Sequence, residues 1–253
     1  MAAEPTTTPT RARGALALAL LGFAALRLRG QCDPYVALHR WLRDAGVPDA
    51  VRNLDGFALT ALLAVATAVI AGGWRRAAAN LGLTGSLPRG FAFAALAGLP
   101  MLAQGALASD GLRLDAGTLR GVVLAPFTEE LFFRGALLAV AVRCAALPFW
   151  PCAVGFGALF GLMHVPWDGT LGPGHAGVLA ATTAGGIWYG WLLRAHGWNL
   201  WTTIGLHAAM NAAWMVFAVA DDAGGGLWAN VGRGLTIALG TWLTLRRVRG
   251  AAG

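Results

Sequence analysis

Long apolar runs separated by short polar segments account for most of this 253-residue sequence. Most of the runs approach the roughly 20 consecutive apolar residues that a helix needs to cross the hydrocarbon core of a bilayer. The segments between them are rich in Arg, Asp, Gly and Pro. The pattern predicts an all-α fold, a polytopic transmembrane bundle of about eight helices. The predicted spans are residues 14–28, 56–73, 90–108, 118–142, 147–164, 176–193, 200–220 and 227–245.

The amino-terminal region holds the two ambiguous segments. Residues 1–13 are rich in Thr and Pro and are expected to form a disordered tail before a single transmembrane domain, residues 14–249. The first apolar run has the arginine flank of a signal peptide, but Arg27 and Arg29 stand where a cleavage site needs small residues. We therefore expect a retained helix, with seven spans as the alternative if this run is removed or lies flat. Residues 30–55 predict a polar connector with an amphipathic helix at the interface.

Composition supports an integral membrane protein. Hydrophobic residues make up 57% of the chain and charged residues only 12%, whereas a soluble domain carries about 25% charged residues. The net charge is +7, and all 19 basic residues are Arg. These arginines lie at the ends of apolar runs instead of forming one stripe, which argues against nucleic acid as a partner.

The distribution of arginines predicts the orientation in the membrane. With eight spans both termini lie on one side, and Glu4 is the only acidic residue predicted there. Because cytoplasmic loops carry an excess of basic residues, both termini are expected to be cytoplasmic, in a bacterial cytoplasmic membrane. The arginines predicted on this side are Arg11, Arg13, Arg75, Arg76, Arg89, Arg143, Arg194, Arg246, Arg247 and Arg249.

Three ionisable residues lie close together in the middle of the fourth predicted span. The chain has only three glutamates, and two of them, Glu129 and Glu130, lie here with Arg134. In an α-helix residues four apart share a face, so Glu130 and Arg134 can pair while Glu129 points elsewhere without a local partner. A shielded carboxylate of this kind can act as a general base. A structural ion-pair cluster that fixes helix packing is the alternative.

Two other predicted spans carry polar groups that need partners in lipid. His164 closes the fifth span, and His207 and Asn211 lie four residues apart on one face of the seventh. We expect these groups to converge with Glu129 on one polar cavity between the helices. Glu and His can activate water, and His and Asn can donate to an oxyanion. The set Glu129, His164 and His207 could also bind a divalent metal such as zinc, and a proton-coupled transporter could use the same groups.

Other residues are assigned structural or solvent-exposed roles. His39, His175 and His196 fall in connectors and are expected to be solvated. The pairs Gly157/Gly161 and Gly186/Gly190 would permit close approach of two helices.

The three motifs together resemble a known family. They read Glu129-Glu130-x-x-x-Arg134, Phe160-x-x-x-His164 and His207-x-x-x-Asn211, each in or at the end of an apolar run. This order is similar to that of the CPBP family of CAAX prenyl proteases and bacteriocin-processing proteins, also called Abi, related to the Ras-converting enzyme. The resemblance covers about residues 74–211.

The resemblance implies an intramembrane endopeptidase of the glutamate type, historically called a metalloprotease. Glu129 with His164 would activate water, His207 and Asn211 would stabilise the oxyanion, and Glu130 with Arg134 would support the site. The expected partners are the lipid bilayer and a membrane-associated protein or peptide substrate. A CAAX substrate is the weakest part of what the resemblance implies, because bacteria generally lack protein prenylation. Peptide processing, bacteriocin immunity and regulation of a membrane protein are the alternatives for a bacterial member. A transporter or a non-catalytic membrane scaffold is the alternative, and a membrane-anchored binding protein is a more distant one.

Overall fold

A computed structural model describes residues 8–109, 111–166, 172–219 and 224–250. Helices account for the regular structure of these ranges, which contain no strand. Single helical turns occur at Arg29–Gln31, Asp49–Arg52, Trp74–Arg76 and Ala77–Asn80. The longer helices, labelled in chain order, are α1 (Pro9–Leu28), α2 (Asp33–Asp44), α3 (Leu54–Gly72), α4 (Leu87–Ala108), α5 (the unbroken helical path 116–143), α6 (Phe149–Met163), α7 (Pro173–Ala195), α8 (Leu200–Met215) and α9 (Leu227–Gly250).

The amino-terminal helix begins earlier than predicted. Residues 9–13 were expected in the disordered tail, but α1 starts at Pro9, immediately after Thr8 in an extended conformation. Proline suits the first helical position because its missing N–H would have no partner there and its φ is already helical. The predicted connector contains α2, as expected, and α2 is bent by 60° from the helical segment before it. The first seven residues and residue 220, the predicted end of the seventh span, lie outside the described ranges.

The prediction of eight spans is supported only in part. In the described ranges two helices, α3 and α4, are long and apolar enough to cross a membrane, and a third span results if α1 and α2 count as one bent span. Helices α6 and α8 have 15 and 16 residues, fewer than the roughly 20 of a full span. The fold is therefore a helical membrane bundle in which not every helix is a full-length span.

Helix α5 is not a plain α-helix, as the motif geometry had assumed. Its segments Arg120–Leu124 and Glu130–Ala139 are π-helical. A π-helix has hydrogen bonds from an N–H to the carbonyl five residues earlier, such as that from Val140 N–H to Gly135 O. Such segments are rare and are found mostly at functional sites. Every residue from 130 to 141 is buried, so α5 runs through the centre of the bundle.

The other helices pack around α5 largely in pairs. Helix α4 packs against α8 and α9, α1 against α3, and α6 against α7. The close helix approach predicted at the glycine pairs occurs between α6 and α7, where a Cβ on Gly186 would lie 2.9 Å from Gly157 Cα. Gly161 and Gly190 also face neighbouring helices closely. Only glycine allows the helix axes to come this near.

One end of the bundle, here called the arginine end, gathers the connectors predicted to be cytoplasmic. Arg143 donates to Ala79 O at 2.8 Å, the Arg194 guanidinium lies 4.6 Å from the Phe149 ring centroid, and Arg247 contacts His196 at 2.8 Å. Helices α6 and α8 start at this end, whereas α7 and α9 finish there. The opposite end is therefore formed by the carboxyl ends of α6 and α8 and the amino ends of α7 and α9.

Candidate active site

A cavity of about 350 Å³ lies among α4 to α9. All six residues of the polar motifs line it, so the expected convergence on one cavity is observed. Its volume lies in the usual range of ligand clefts, about 300–1,000 Å³. The motif residues are Glu129, Glu130, Arg134, His164, His207 and Asn211. The apolar and aromatic residues that line the rest of the wall include Met101, Phe160, Trp188, Tyr189, Met210, Trp214, Met215 and Ile237.

Glu130 and Arg134 form the ion pair predicted from their spacing. Arg134 Nη1 lies 3.2 Å from Glu130 Oε1, and the two side chains are 3% and 0% exposed. The Arg134 guanidinium carbon also lies 4.2 Å from the Phe160 ring centroid and 5.4 Å from that of Tyr189. A buried pair held in this way fixes α5 against α6 and α7.

Glu130 has a second role that the spacing did not reveal, since it also holds His207. His207 Nδ1 lies 3.0 Å from Glu130 Oε1. A carboxylate accepts hydrogen bonds, so Nδ1 carries the proton and Nε2 turns toward the remaining carboxylate, Glu129. The pair on α5 therefore orients a histidine on α8.

Glu129 is the more accessible of the two carboxylates. Its side chain is 20% exposed, and its Oε2 lies 3.9 Å from His207 Nε2. That separation exceeds a direct hydrogen bond but allows a water molecule to bridge the two groups. The surroundings of the neighbouring glutamates thus differ, because Glu130 is buried in an ion pair and Glu129 faces the cavity. Their separate catalytic and supporting roles stay a prediction.

His164 caps the end of α6 and turns one ring nitrogen back to its own helix. Its Nδ1 lies 2.8 Å from Phe160 O. A carbonyl only accepts, so Nδ1–H donates and Nε2 of the neutral ring keeps its lone pair. The four-residue spacing between Phe160 and His164 thus places the Phe160 carbonyl where it fixes the tautomer of the His164 ring.

Asn211 is oriented by an irregularity in α5. Ala125 N–H bonds to Arg120 O, five residues earlier, and the next bond of this kind would run from residue 126 to Gly121. Pro126 has no N–H to donate. Asn211 Nδ2 donates to Gly121 O instead, at 2.8 Å. One amide hydrogen of Asn211 is therefore used in packing, and the second is available for a ligand.

Two cavity residues were missed at the level of sequence. Arg233 lies on α9 within the eighth predicted span, and Trp214 lies on α8 one turn after Asn211. The guanidinium carbon of Arg233 sits 4.2 Å from the Trp214 ring centroid. The signal for Arg233 was the one applied to Glu129, an ionisable side chain within an apolar run.

His196, expected to be solvated, is in fact buried. It is 5% exposed at the arginine end, just after α7. Arg247 donates to Nδ1 at 2.8 Å, so Nε2–H donates to Thr244 Oγ1 at 3.1 Å. Burial, and then the Arg247 charge, lowers the pKa of His196 from its ordinary 6.5 to about 4. The other two connector histidines are half-buried.

The predicted metal ligands do not form a metal site in the structure. Across the described ranges no three His, Cys, Asp or Glu side chains are grouped so that they could hold a metal ion. Glu129, His164 and His207 line the same cavity but do not make up such a group. A bound metal therefore stays a prediction.

Comparison with family models gives one match. Residues 115–213 match the family described as type II CAAX prenyl endopeptidase Rce1-like. The resemblance stated from the motifs is therefore confirmed over this segment, which contains all six motif residues. The matched segment starts after residue 74, where the resemblance was expected to begin. Neither the comparison with curated proteins nor that with solved structures gave a match.

Proposed function

We propose that this chain is an intramembrane endopeptidase, because residues 115–213 match the family described as type II CAAX prenyl endopeptidase Rce1-like. It hydrolyses a peptide bond of a membrane-associated protein or peptide. The observation that supports this most strongly is that all six motif residues line one cavity with an otherwise largely apolar wall. Such a cavity suits an apolar peptide segment and keeps bulk water away from the reacting groups.

Glu129 is the proposed general base. Its carboxylate takes a proton from a water molecule, and the resulting hydroxide adds to the carbonyl carbon of the scissile bond. The C–N bond of the tetrahedral intermediate then breaks, and the leaving amine receives the proton from Glu129. The products are one new carboxylate and one new amine. His164, whose Nε2 keeps a lone pair while Nδ1 bonds to Phe160 O, helps to orient the water.

His207 and Asn211 are the proposed donors to the oxyanion. When Nε2 of His207 carries a proton it can donate, because Nδ1 is already held by Glu130. The second amide hydrogen of Asn211 is available because only one is bound to Gly121 O. Donors fixed before the reaction begins stabilise the developing negative charge without reorganisation. Glu130 and Arg134 act through His207 and are positioning residues.

The cavity is proposed to open away from the cytoplasm. Its lining includes the carboxyl ends of α6 and α8 and the amino end of α9, and these form the end opposite the arginine end. The positive-inside rule places the arginine end in the cytoplasm. In a variant without native cysteines, Met215→Cys should react with a membrane-impermeant maleimide added outside cells, and Arg246→Cys should not. The reverse labelling pattern would overturn this orientation.

The proposal is tested with purified protein in proteoliposomes and a lipid-tethered peptide library. Mass spectrometry should identify two peptide products from the wild type, and Glu129→Ala should form neither. If the protein is a non-catalytic scaffold, the wild type should show no cleavage and the variants should lose only their folding. If it is a transporter, the wild type should show flux that depends on a pH gradient. Cleavage at the same rate by wild type and Glu129→Ala would refute the proposed role of Glu129.

A further inference from the structure

The arginine end carries positive charge that the described residues do not neutralise. Every described Asp and Glu lies in the cavity or at the opposite end, which holds α2 and the starts of α3 and α5. Two arginines of the arginine end, Arg143 at the end of α5 and Arg194 in the last turn of α7, are exposed. Neither belongs to an ion pair of the described ranges. A positive surface of this kind at one end of a membrane bundle attracts anions.

Two aromatic rings connect these guanidinium groups. The guanidinium carbon of Arg143 lies 5.8 Å from the Trp198 ring centroid, and that of Arg194 lies 4.6 Å from the Phe149 centroid. The Phe149 and Trp198 centroids are 6.5 Å apart, with one ring edge-on to the other. Stacking on an aromatic ring orients a planar guanidinium without occupying its N–H groups. These four residues are called the arginine–aromatic cluster.

The cluster presents several hydrogen-bond donors and no acceptor from its cations. A guanidinium has five N–H donors. Arg143 uses one of them on Ala79 O, at 2.8 Å, whereas the Arg194 guanidinium stacks on Phe149 and makes no hydrogen bond to a described residue. Arginine binds a phosphate through two parallel N–H···O bonds. The donors of the cluster therefore suit the oxygens of a phosphate group.

An exposed apolar strip begins beside the cluster. Trp150 follows Phe149, and the centroids of the two rings are 5.0 Å apart. Trp150 is 56% exposed, and Val154, one turn later on the same face of α6, is 50% exposed. Because α6 starts at the arginine end, this strip runs from that end toward the hydrocarbon region, as an acyl chain does below its headgroup. A phosphate-binding cluster joined to an apolar strip fits a phospholipid better than a free phosphate ion.

We propose that the arginine–aromatic cluster binds the phosphate of an anionic phospholipid, whose acyl chain lies along Trp150 and Val154. Zwitterionic lipids also contain a phosphate, but their ammonium group needs a negative partner, and no described carboxylate lies at this end. The site therefore selects headgroups with a net negative charge, such as phosphatidylglycerol. It lies outside the cavity and is independent of the proposed hydrolysis.

Binding is tested with the full-length protein in a nonionic detergent. Dioctanoyl phosphatidylglycerol and dioctanoyl phosphatidylcholine are titrated separately, and their dissociation constants are measured by isothermal titration calorimetry. Wild type should bind phosphatidylglycerol about tenfold or more tightly, as expected when the charge-assisted hydrogen bonds are not offset by an unpaired ammonium group. Inorganic phosphate at the same ionic strength should not displace this lipid, because it makes no contact with the apolar strip.

Paired substitutions assign the preference to the cluster. Arg143→Gln/Arg194→Gln should weaken binding of phosphatidylglycerol about tenfold or more and remove the preference over phosphatidylcholine. Arg246→Gln/Arg249→Gln is the matched control, because it removes the same charge from the arginine end. Arg246 is also stacked on an aromatic ring, with its guanidinium carbon 4.3 Å from the Trp242 centroid. The control should change the dissociation constant by less than about twofold, since charges of the exposed surface are screened by salt.

A further variant tests the apolar strip, and a single substitution guards against misfolding. Trp150→Gln should weaken binding of phosphatidylglycerol about threefold or more, because the acyl chain loses apolar contact. If the paired cluster variant does not fold, Arg194→Gln alone provides the comparison and should weaken binding about threefold or more.

Three results would overturn the proposal. The first is equal affinity of wild type for the two lipids. The second is an equal loss of affinity in the cluster and control variants, because binding would then follow total charge alone. The third is displacement of phosphatidylglycerol by inorganic phosphate, which would indicate a site for a free anion. Absence of peptide cleavage would refute the proposed hydrolysis and leave these binding constants unaffected.

Discussion

Replacing Arg134 by Met tests whether Glu130 and Arg134 are the buried support of the site. The substitution keeps the length of the side chain and removes its charge. It leaves the Glu130 carboxylate, which is 0% exposed, with the 3.0 Å contact to His207 Nδ1. Removing one partner of a buried pair costs about 3–5 kcal/mol, because the other charge is left uncompensated. The stacking on Phe160 is lost as well. We therefore expect unfolding free energy to fall by about 4 kcal/mol.

The measurement is SDS-induced unfolding in mixed micelles, followed by circular dichroism. The double variant Glu130→Gln/Arg134→Met should recover much of the loss, because no buried charge remains unpaired and Gln can still accept from His207. Arg143→Met is the control, since Arg143 contacts Ala79 O at the exposed arginine end. This substitution should lower the free energy of unfolding by less than about 1 kcal/mol. A loss below about 1 kcal/mol for Arg134→Met, or a double variant as unstable as the sum of the singles, would refute the reasoning.

Three further predictions concern pH, the oxyanion and metal. The pKa of His196 falls to about 4 on folding, so the folded state favours the neutral ring. The contribution of this residue to the free energy of unfolding is therefore present above pH 6.5 and lost as the pH falls toward 4. At pH 5 wild type should be less stable by at most about 2 kcal/mol in thermal unfolding, and a His196→Gln protein with the same pH dependence would contradict this. Asn211→Leu should lower kcat about 100-fold or more with little change in KM, and a change confined to KM would refute its role as an oxyanion donor. Dialysis against EDTA tests the predicted metal: loss of activity that zinc restores would support a metal held by Glu129, His164 and His207, and unchanged activity would contradict it.

The sequence predicted the convergence of the motifs well, because each polar residue inside an apolar run needs a partner in lipid. Spacing alone gave the Glu130–Arg134 pair, which survives in a π-helix because residues four apart still lie near one another. It could not give the contact between Glu130 and His207, since this depends on how α5 and α8 pack. The sequence could not predict the hydrogen bond from Asn211 to Gly121 O either. This bond forms because Pro126 has no N–H to donate to the Gly121 carbonyl.

Other errors have identifiable physical causes. Hydropathy treats every apolar run as a span, but it does not detect that α6 and α8 are short and pack within the bundle. His196 was assigned to solvent because it follows a span, whereas Arg247 and Thr244 reach it from the last turns of α9. Arg233 is an ionisable group within an apolar run, like Glu129, but it belongs to none of the three motifs, so the motif pattern does not reveal it.

The central claim is that Glu129 activates water for peptide hydrolysis while Glu130 only supports the site. It is tested most directly by single-turnover cleavage in ¹⁸O-labelled water, comparing wild type with Glu129→Gln. Wild type should place ¹⁸O in the new carboxyl group. Glu129→Gln should keep the wild-type fold and peptide affinity while its rate falls about 100-fold to 10,000-fold, the usual contribution of a general base. Incorporation of ¹⁸O by folded Glu129→Gln at the wild-type rate would contradict the account.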